Sequence, residues 1–138
     1  MNEYTYEEIS IGHKESFFVV VTEKMLDAFR DITGDMNPLH NSEEYAKQQG
    51  YQDRVVYGML TASFLSTLAG VYLPGKRSLI HEVKTKFVKP VYIGDEIAIT
   101  GEVTDKHDAF KLLDIKYNMV RSDGVKVCRG TMSVSVEE

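Results

Sequence analysis

The hexapeptide Asp35-Met36-Asn37-Pro38-Leu39-His40 sets a carboxylate and an imidazole five residues apart around an Asn-Pro pair. Carboxylates and imidazoles are the side chains that most readily exchange protons near neutral pH, and together they can hold and activate a water molecule. Proline confines the residue before it to extended backbone, so a regular helix is not expected through this stretch. Further along, Tyr57-Gly58-Met59 opens the longest uncharged segment of the chain, which runs from Val55 to Gly75. A glycine at the start of a buried helix suits a developing negative charge. Backbone approaches a ligand closely there, and the first N–H groups of a helix have no partner. Asp35, His40 and Gly58 are therefore the candidate catalytic residues, on the condition that the two segments meet in space.

Three neighbours are candidate substrate-binding residues, each with a plainer reading beside it. Asn37 is either a substrate contact or a side chain that holds its own loop. Tyr57 either donates its phenol to a substrate or packs. Ser63, inside the uncharged helix, either faces the substrate or bonds the carbonyl of the preceding turn. Asp, Asn, Pro and Gly are ordinary turn formers, so composition alone does not make Asp35–Pro38 a site. His40 and Glu43 have helical spacing, but so small a mixed set is a poor metal case, and no metal is expected. Cys128 alternates with core residues and has no activating base in view.

Elements must position these groups. Ser16–Val21 is β-branched and aromatic and reads as a first strand. Thr22 is placed to cap a helix carrying Met25, Leu26, Phe29 and Ile32, with Gly34 to end it. Asn41 or Ser42 caps a short helix that closes near Gly50. The uncharged helix then runs from about Tyr57 to Tyr72 and stops at Pro74-Gly75. Four alternating segments follow. Their same-face series are Val83, Thr85 and Phe87; Ile97, Ile99 and Val103; Leu113, Ile115, Tyr117 and Met119; and Cys128, Met132, Val134 and Val136. Turns fall at Lys89-Pro90, Gly94-Asp95, Lys106-His107-Asp108 and Ser122-Asp123-Gly124. Short connections imply a largely antiparallel meander. A one-faced sheet and an all-apolar helix both find cover if the sheet curls around the helix. One sheet leaves a side of the helix open, so a homodimer is expected.

The chain has 138 residues and a net charge of −5, the bulk of one α+β domain over 1–138. The acidic balance argues against nucleic acid as a partner. One cysteine excludes an intrachain disulfide and fits a reducing compartment. The first residues are acidic and polar where a secretory signal needs basic and then apolar ones, so a cytoplasmic location is expected. The Val55–Gly75 segment is long enough to span a bilayer, but its serines, threonines, glycines and proline read as a helix buried in protein.

At this point the residues resemble a known family. Phe29-x-x-x-x-Gly34-Asp35-x-Asn37-Pro38-x-His40 followed by Tyr57-Gly58-Met59-Leu60-x-Ala62-Ser63 resembles the hydratase motif of MaoC-like dehydratases, a group that includes (R)-specific enoyl-CoA hydratases. Phe87-x-x-Pro90-Val91-x-x-Gly94-Asp95 resembles a strand-turn-strand segment of the same group. The resemblance runs from about residue 12 to the C-terminus. It implies the hot-dog fold, a curved antiparallel five-stranded sheet wrapped around a long central helix. It also implies a dimer with sites near the subunit interface, acyl thioester substrates on coenzyme A or a carrier protein, and no metal or redox cofactor. In such enzymes the motif Asp and His hold and activate one water. Tyr57 departs from the pattern, since many members carry histidine before the glycine.

The implied reaction is hydration of a 2-enoyl thioester to an (R)-3-hydroxyacyl thioester, or its reverse. A thioester hydrolase on the same fold is the alternative enzyme, and a module that binds acyl thioesters without transforming them is a third reading. Hydrolases of this fold place a carboxylate on the central helix, and Tyr57–Tyr72 has none. Lys84, Lys86, Lys89 and Arg77 could meet coenzyme A phosphates or an acidic carrier protein, although a solvated sheet face is the commoner explanation.

Overall fold

The computed structural model describes residues 1–138. Strand β1 (Lys14–Val20) leads to α1 (Glu23–Thr33), the one-turn α2 (Pro38–Asn41), α3 (Glu43–Gln48) and α4 (Gly58–Thr67). Strands β2 (Ser78–Phe87), β3 (Glu96–His107), β4 (Leu112–Arg121) and β5 (Lys126–Val136) complete one five-stranded antiparallel sheet in the order β1-β3-β4-β5-β2. This is the expected α+β, hot-dog arrangement.

The helix boundaries follow local chemistry. Thr22 Oγ1 accepts from the Met25 N–H, and Gly34 closes α1 at φ 74. Ser42 caps α3 through the Tyr45 N–H. The Asn-Pro stretch departs from expectation, because a single helical turn begins at Pro38 itself. Proline fits the first helical position, where its missing N–H costs nothing, and the restriction falls on Asn37, which stays extended at ψ 128.

The uncharged segment forms α4 and then widens into a π turn over Leu68–Tyr72, so the long helix is not uniform. Leu60, Leu65, Leu68 and Ala69 are buried against Ile97, Ile99, Ile115, Tyr117 and Met119 of the sheet. Gly101 on β3 allows this approach, since a Cβ there would lie 2.9 Å from Leu68 Cδ2. No helix is long and apolar enough to cross a membrane.

Two sheet expectations need correction. The meander covers β3, β4 and β5 only; β2 crosses to the far edge and pairs with β5. Strand β3 also runs through Lys106 and His107, and the turn comes later, in a short 3-10 turn at Asp108–Phe110. An irregularity between Val103 and Asp105 keeps the pairing with β4 in step over that extra length.

Candidate active site

Backbone and ring together clasp the two segments that carry the candidate chemistry. The Val55 N–H donates to the Leu39 carbonyl (3.1 Å), and the Val55 carbonyl accepts from His40 Nδ1 (2.6 Å). Val56 N–H in turn donates to Val91 O (2.8 Å), tying the clasp to the loop before β3. A carbonyl can only accept, so Nδ1 carries the proton in the neutral ring and Nε2 keeps its lone pair. His40 is thereby set up to take a proton at Nε2.

Asp35 lies in the loop after α1. Its Oδ1 accepts from the Asn37 N–H (3.0 Å), and its own N–H donates to Thr33 Oγ1 (3.2 Å). Asn37 Oδ1 accepts from the Leu39 N–H (2.9 Å), which makes Asn37 the cap of α2. Gly58 opens α4, and its N–H donates to no group of the protein. A Cβ at this position would sit 3.1 Å from the Phe87 ring, so glycine keeps that amide approachable.

Asp35, His40, Tyr57 and Gly58 share the wall of one cavity of about 540 Å³, with Phe29, Thr33, Met59 and Phe87 around them. His40, Gly58 and Phe87 also border a second hollow of about 260 Å³, walled largely by Val55, Val56 and Val91. Cys128 borders it too, and burial pushes its thiol up to about 11, which keeps it protonated and a poor nucleophile.

The remaining candidates fall elsewhere. Ser63 is not on either wall; its hydroxyl donates to the Leu60 carbonyl (2.5 Å). Tyr57 is 2% exposed, and its hydroxyl is fully engaged. It donates to the Asp35 carbonyl (2.6 Å) and accepts from Asn41 Nδ2 (3.0 Å). Its ring stacks on His40 with centroids 4.2 Å apart and leans on Phe29. Tyr57 therefore braces both candidate catalytic residues.

Two supporting residues escaped the sequence reading. Asn41 links Tyr57 to Arg30, whose Nη1 donates to Asn41 Oδ1 (3.3 Å). Arg54 Nε donates to the His40 carbonyl (2.8 Å), while its Nη1 pairs with Glu23 on α1 (3.2 Å). The available signal for Arg54 was its place as the last charge before the uncharged segment.

The MaoC like domain model matches residues 10–123. The chain belongs to the MaoC-like family. Among its relatives is an (R)-specific enoyl-CoA hydratase of Rhodospirillum rubrum, 34% identical over 99 residues, which are 72% of this chain and 69% of that one. A mitochondrial 3-hydroxyacyl-[acyl-carrier-protein] dehydratase of Arabidopsis thaliana is 35% identical over 78 residues, 56% of this chain and 46% of that one. The solved (R)-hydratase from A. caviae superposes with a TM-score of 0.90 at 28% identity, covering 94% of this chain and 98% of that one. This MaoC-like chain thus shares its fold with a hydratase along nearly its whole length.

Proposed function

We propose that this MaoC-like protein is a lyase that adds water to 2-enoyl thioesters, giving (R)-3-hydroxyacyl thioesters, and that it also runs the reverse dehydration. The observation that carries the reading is the sharing of one cavity by the Asp35 carboxylate, His40 with its free Nε2, and the unpaired Gly58 amide. Hydration needs a base for the water, a proton for C2, and a donor for the thioester oxygen as it gathers charge.

In this mechanism one water is held between Asp35 and His40. Its oxygen bonds to C3 as the C2–C3 double bond opens toward the carbonyl, and the oxygen of the resulting enolate rests on the Gly58 N–H at the head of α4. The water's proton passes to the Asp35–His40 pair. The same pair delivers a proton to C2, so the enzyme ends as it began. Loss of one such oxygen-binding donor typically raises a barrier by about 3 kcal/mol, which makes Gly58 as important as the acid–base pair.

The thioester is substrate rather than cofactor, and the scheme uses no metal. The protein works as a homodimer in the cytoplasm. Met59 is 66% exposed, and Val83 and Phe87, on the helix-facing side of β2, are 44% and 49% exposed, so one copy leaves an apolar margin beside the site. Light scattering at micromolar concentration should give twice the chain mass; a monomer mass would refute the dimer.

The test of the activity is loss of enone absorbance from crotonyl-CoA, with chiral analysis of the product. Asp35→Asn and His40→Ala should each lower turnover by about 10²- to 10⁴-fold with the fold intact. Thiol release without enone loss would instead mark a hydrolase. Tight acyl binding with neither signal would mark a binding module.

A further inference from the structure

The outward face of the sheet holds a concavity that the hydration chemistry does not use. Strands β2, β5 and β4 lie side by side, and their residues align across the strands as Lys84–Thr131–Lys116 and Lys86–Arg129–Asn118. A hollow of about 360 Å³ opens there, walled by Lys84, Lys86, Lys116, Arg129 and Thr131, with no acidic and no apolar side chain in its lining.

This grouping runs against the rest of the molecule. The chain carries 21 acidic and 16 basic residues, so carboxylates are available to neutralise a cation almost anywhere. Within the hollow only Lys84 has an ion-pair partner, Glu82 at 3.5 Å. Lys86, Lys116 and Arg129 have none, although Lys86 stands directly opposite Arg129 in the ladder. Like charges opposed across strands destabilise a sheet, and an anion between them reverses that effect.

The residue types around the hollow suit one kind of anion. Arginine offers a planar fork, lysine a mobile point charge, and threonine a hydroxyl, a combination that suits phosphate oxygens. Glu82 beyond Lys84 and Glu102 opposite Lys116 bound the positive area at its margins. They leave room for a small ligand and would repel an extended acidic protein.

We propose that this outer-face hollow is a binding site for a small organic phosphate of nucleotide size bearing two or more phosphate groups. Two sources share that chemistry: the nucleotide end of a coenzyme A thioester, or a free nucleotide. Lys86 borders the hollow and Phe87 the catalytic cavity, on opposite faces of β2; since β2 is the edge strand, a coenzyme A thioester reaches both by passing around that edge, whereas a free nucleotide occupies the hollow alone.

The test is calorimetric titration of the full chain with adenosine 3′,5′-bisphosphate at low ionic strength. One saturable site per chain is expected, weakening as salt is raised. The double variant Lys86→Gln/Arg129→Gln should lose about tenfold in affinity. If that variant fails to fold, Lys84→Gln/Lys116→Gln should give the same loss. Lys24→Gln, on α1, should leave binding unchanged.

Kinetics then separate the sources. A rise in KM for crotonyl-CoA, but not for crotonyl-N-acetylcysteamine, would put the substrate's nucleotide in the hollow. An unchanged KM with lost bisphosphate binding would assign the hollow to a separate nucleotide. No saturable binding up to millimolar concentration, or equal binding by wild type and variants, would overturn the proposal. Absence of crotonyl thioester hydration would refute the proposed activity alone, because the titration requires no turnover.

Discussion

The segment from Asp35 to Gly58 and the β3–β5 sheet achieve order in opposite ways. In the sheet each residue is held by a repeating ladder, so neighbours share the work of any one bond. In the site segment, beyond the backbone clasp at Leu39 and Val55, single side chains hold single backbone groups: Asn37 on Leu39, Tyr57 on Asp35, Arg54 on His40. The contrast implies that the sheet sets whether the chain folds, while a few unduplicated bonds set whether the site is in register. The proposed chemistry rests on the less redundant half.

Substitutions can break or sharpen that contrast. The largest effect is expected at Gly58. Gly58→Ala places a methyl against Phe87 and shifts the α4 amide, so kcat should fall by about 10²- to 10³-fold with little change in Tm. Leu68→Ala should do the reverse. This fully buried residue packs over Gly101, so denaturant unfolding should register a loss of about 2–5 kcal/mol while kcat at low temperature stays near wild type. If Leu68→Ala lowered kcat as much as Gly58→Ala, the division between the two regions would be wrong.

Tyr57→Phe is a finer probe. It keeps the ring on His40 but removes the bonds to Asp35 and Asn41, at about 1 kcal/mol of stability. A fall of about tenfold in kcat, with KM nearly constant, would identify the hydroxyl as a brace for the acid–base pair.

The smallest effect belongs to the sheet margin. Asp114 accepts from His107 Nε2 at 2.8 Å and holds the imidazole above its ordinary value. A raised folded-state value means that the contribution is complete below the ordinary imidazole range, near pH 6.5, and fades as pH climbs through the folded value. Thermal melts of wild type and His107→Ala should therefore differ at pH 6 and converge by pH 8. A gap that widened with pH would contradict the assignment.

Much of this was legible from residue order. The caps at Thr22, Gly34 and Ser42 act over three or four residues, and the inward series of β3, β4 and β5 follow strict alternation, so local reasoning reaches them. The edge position of β2 was not legible, because its pairing with β5 joins residues far apart in sequence and the alternation of Val83, Thr85 and Phe87 is the same beside any partner. The helical turn at Pro38 was missed by treating proline as a breaker at a position where it is a starter. At the site, the residue types and spacing of Asp35, His40 and Gly58 marked them as candidates, and the fold brings the three to one cavity. The work of Asn41 and Arg54 exists only once α1, α2 and the Val55 clasp are packed together. Tyr57 was visible as an unusual residue, but its two hydrogen bonds were not.

Phe87, His40 and Gly58 line both the larger chamber holding Asp35 and the smaller valine-walled one. A molecule anchored on the Gly58 amide can therefore extend into either chamber past the same aromatic ring. On the proposed function, the two ends of such a molecule would meet different walls, and trimming the Phe87 ring should alter both chambers at once.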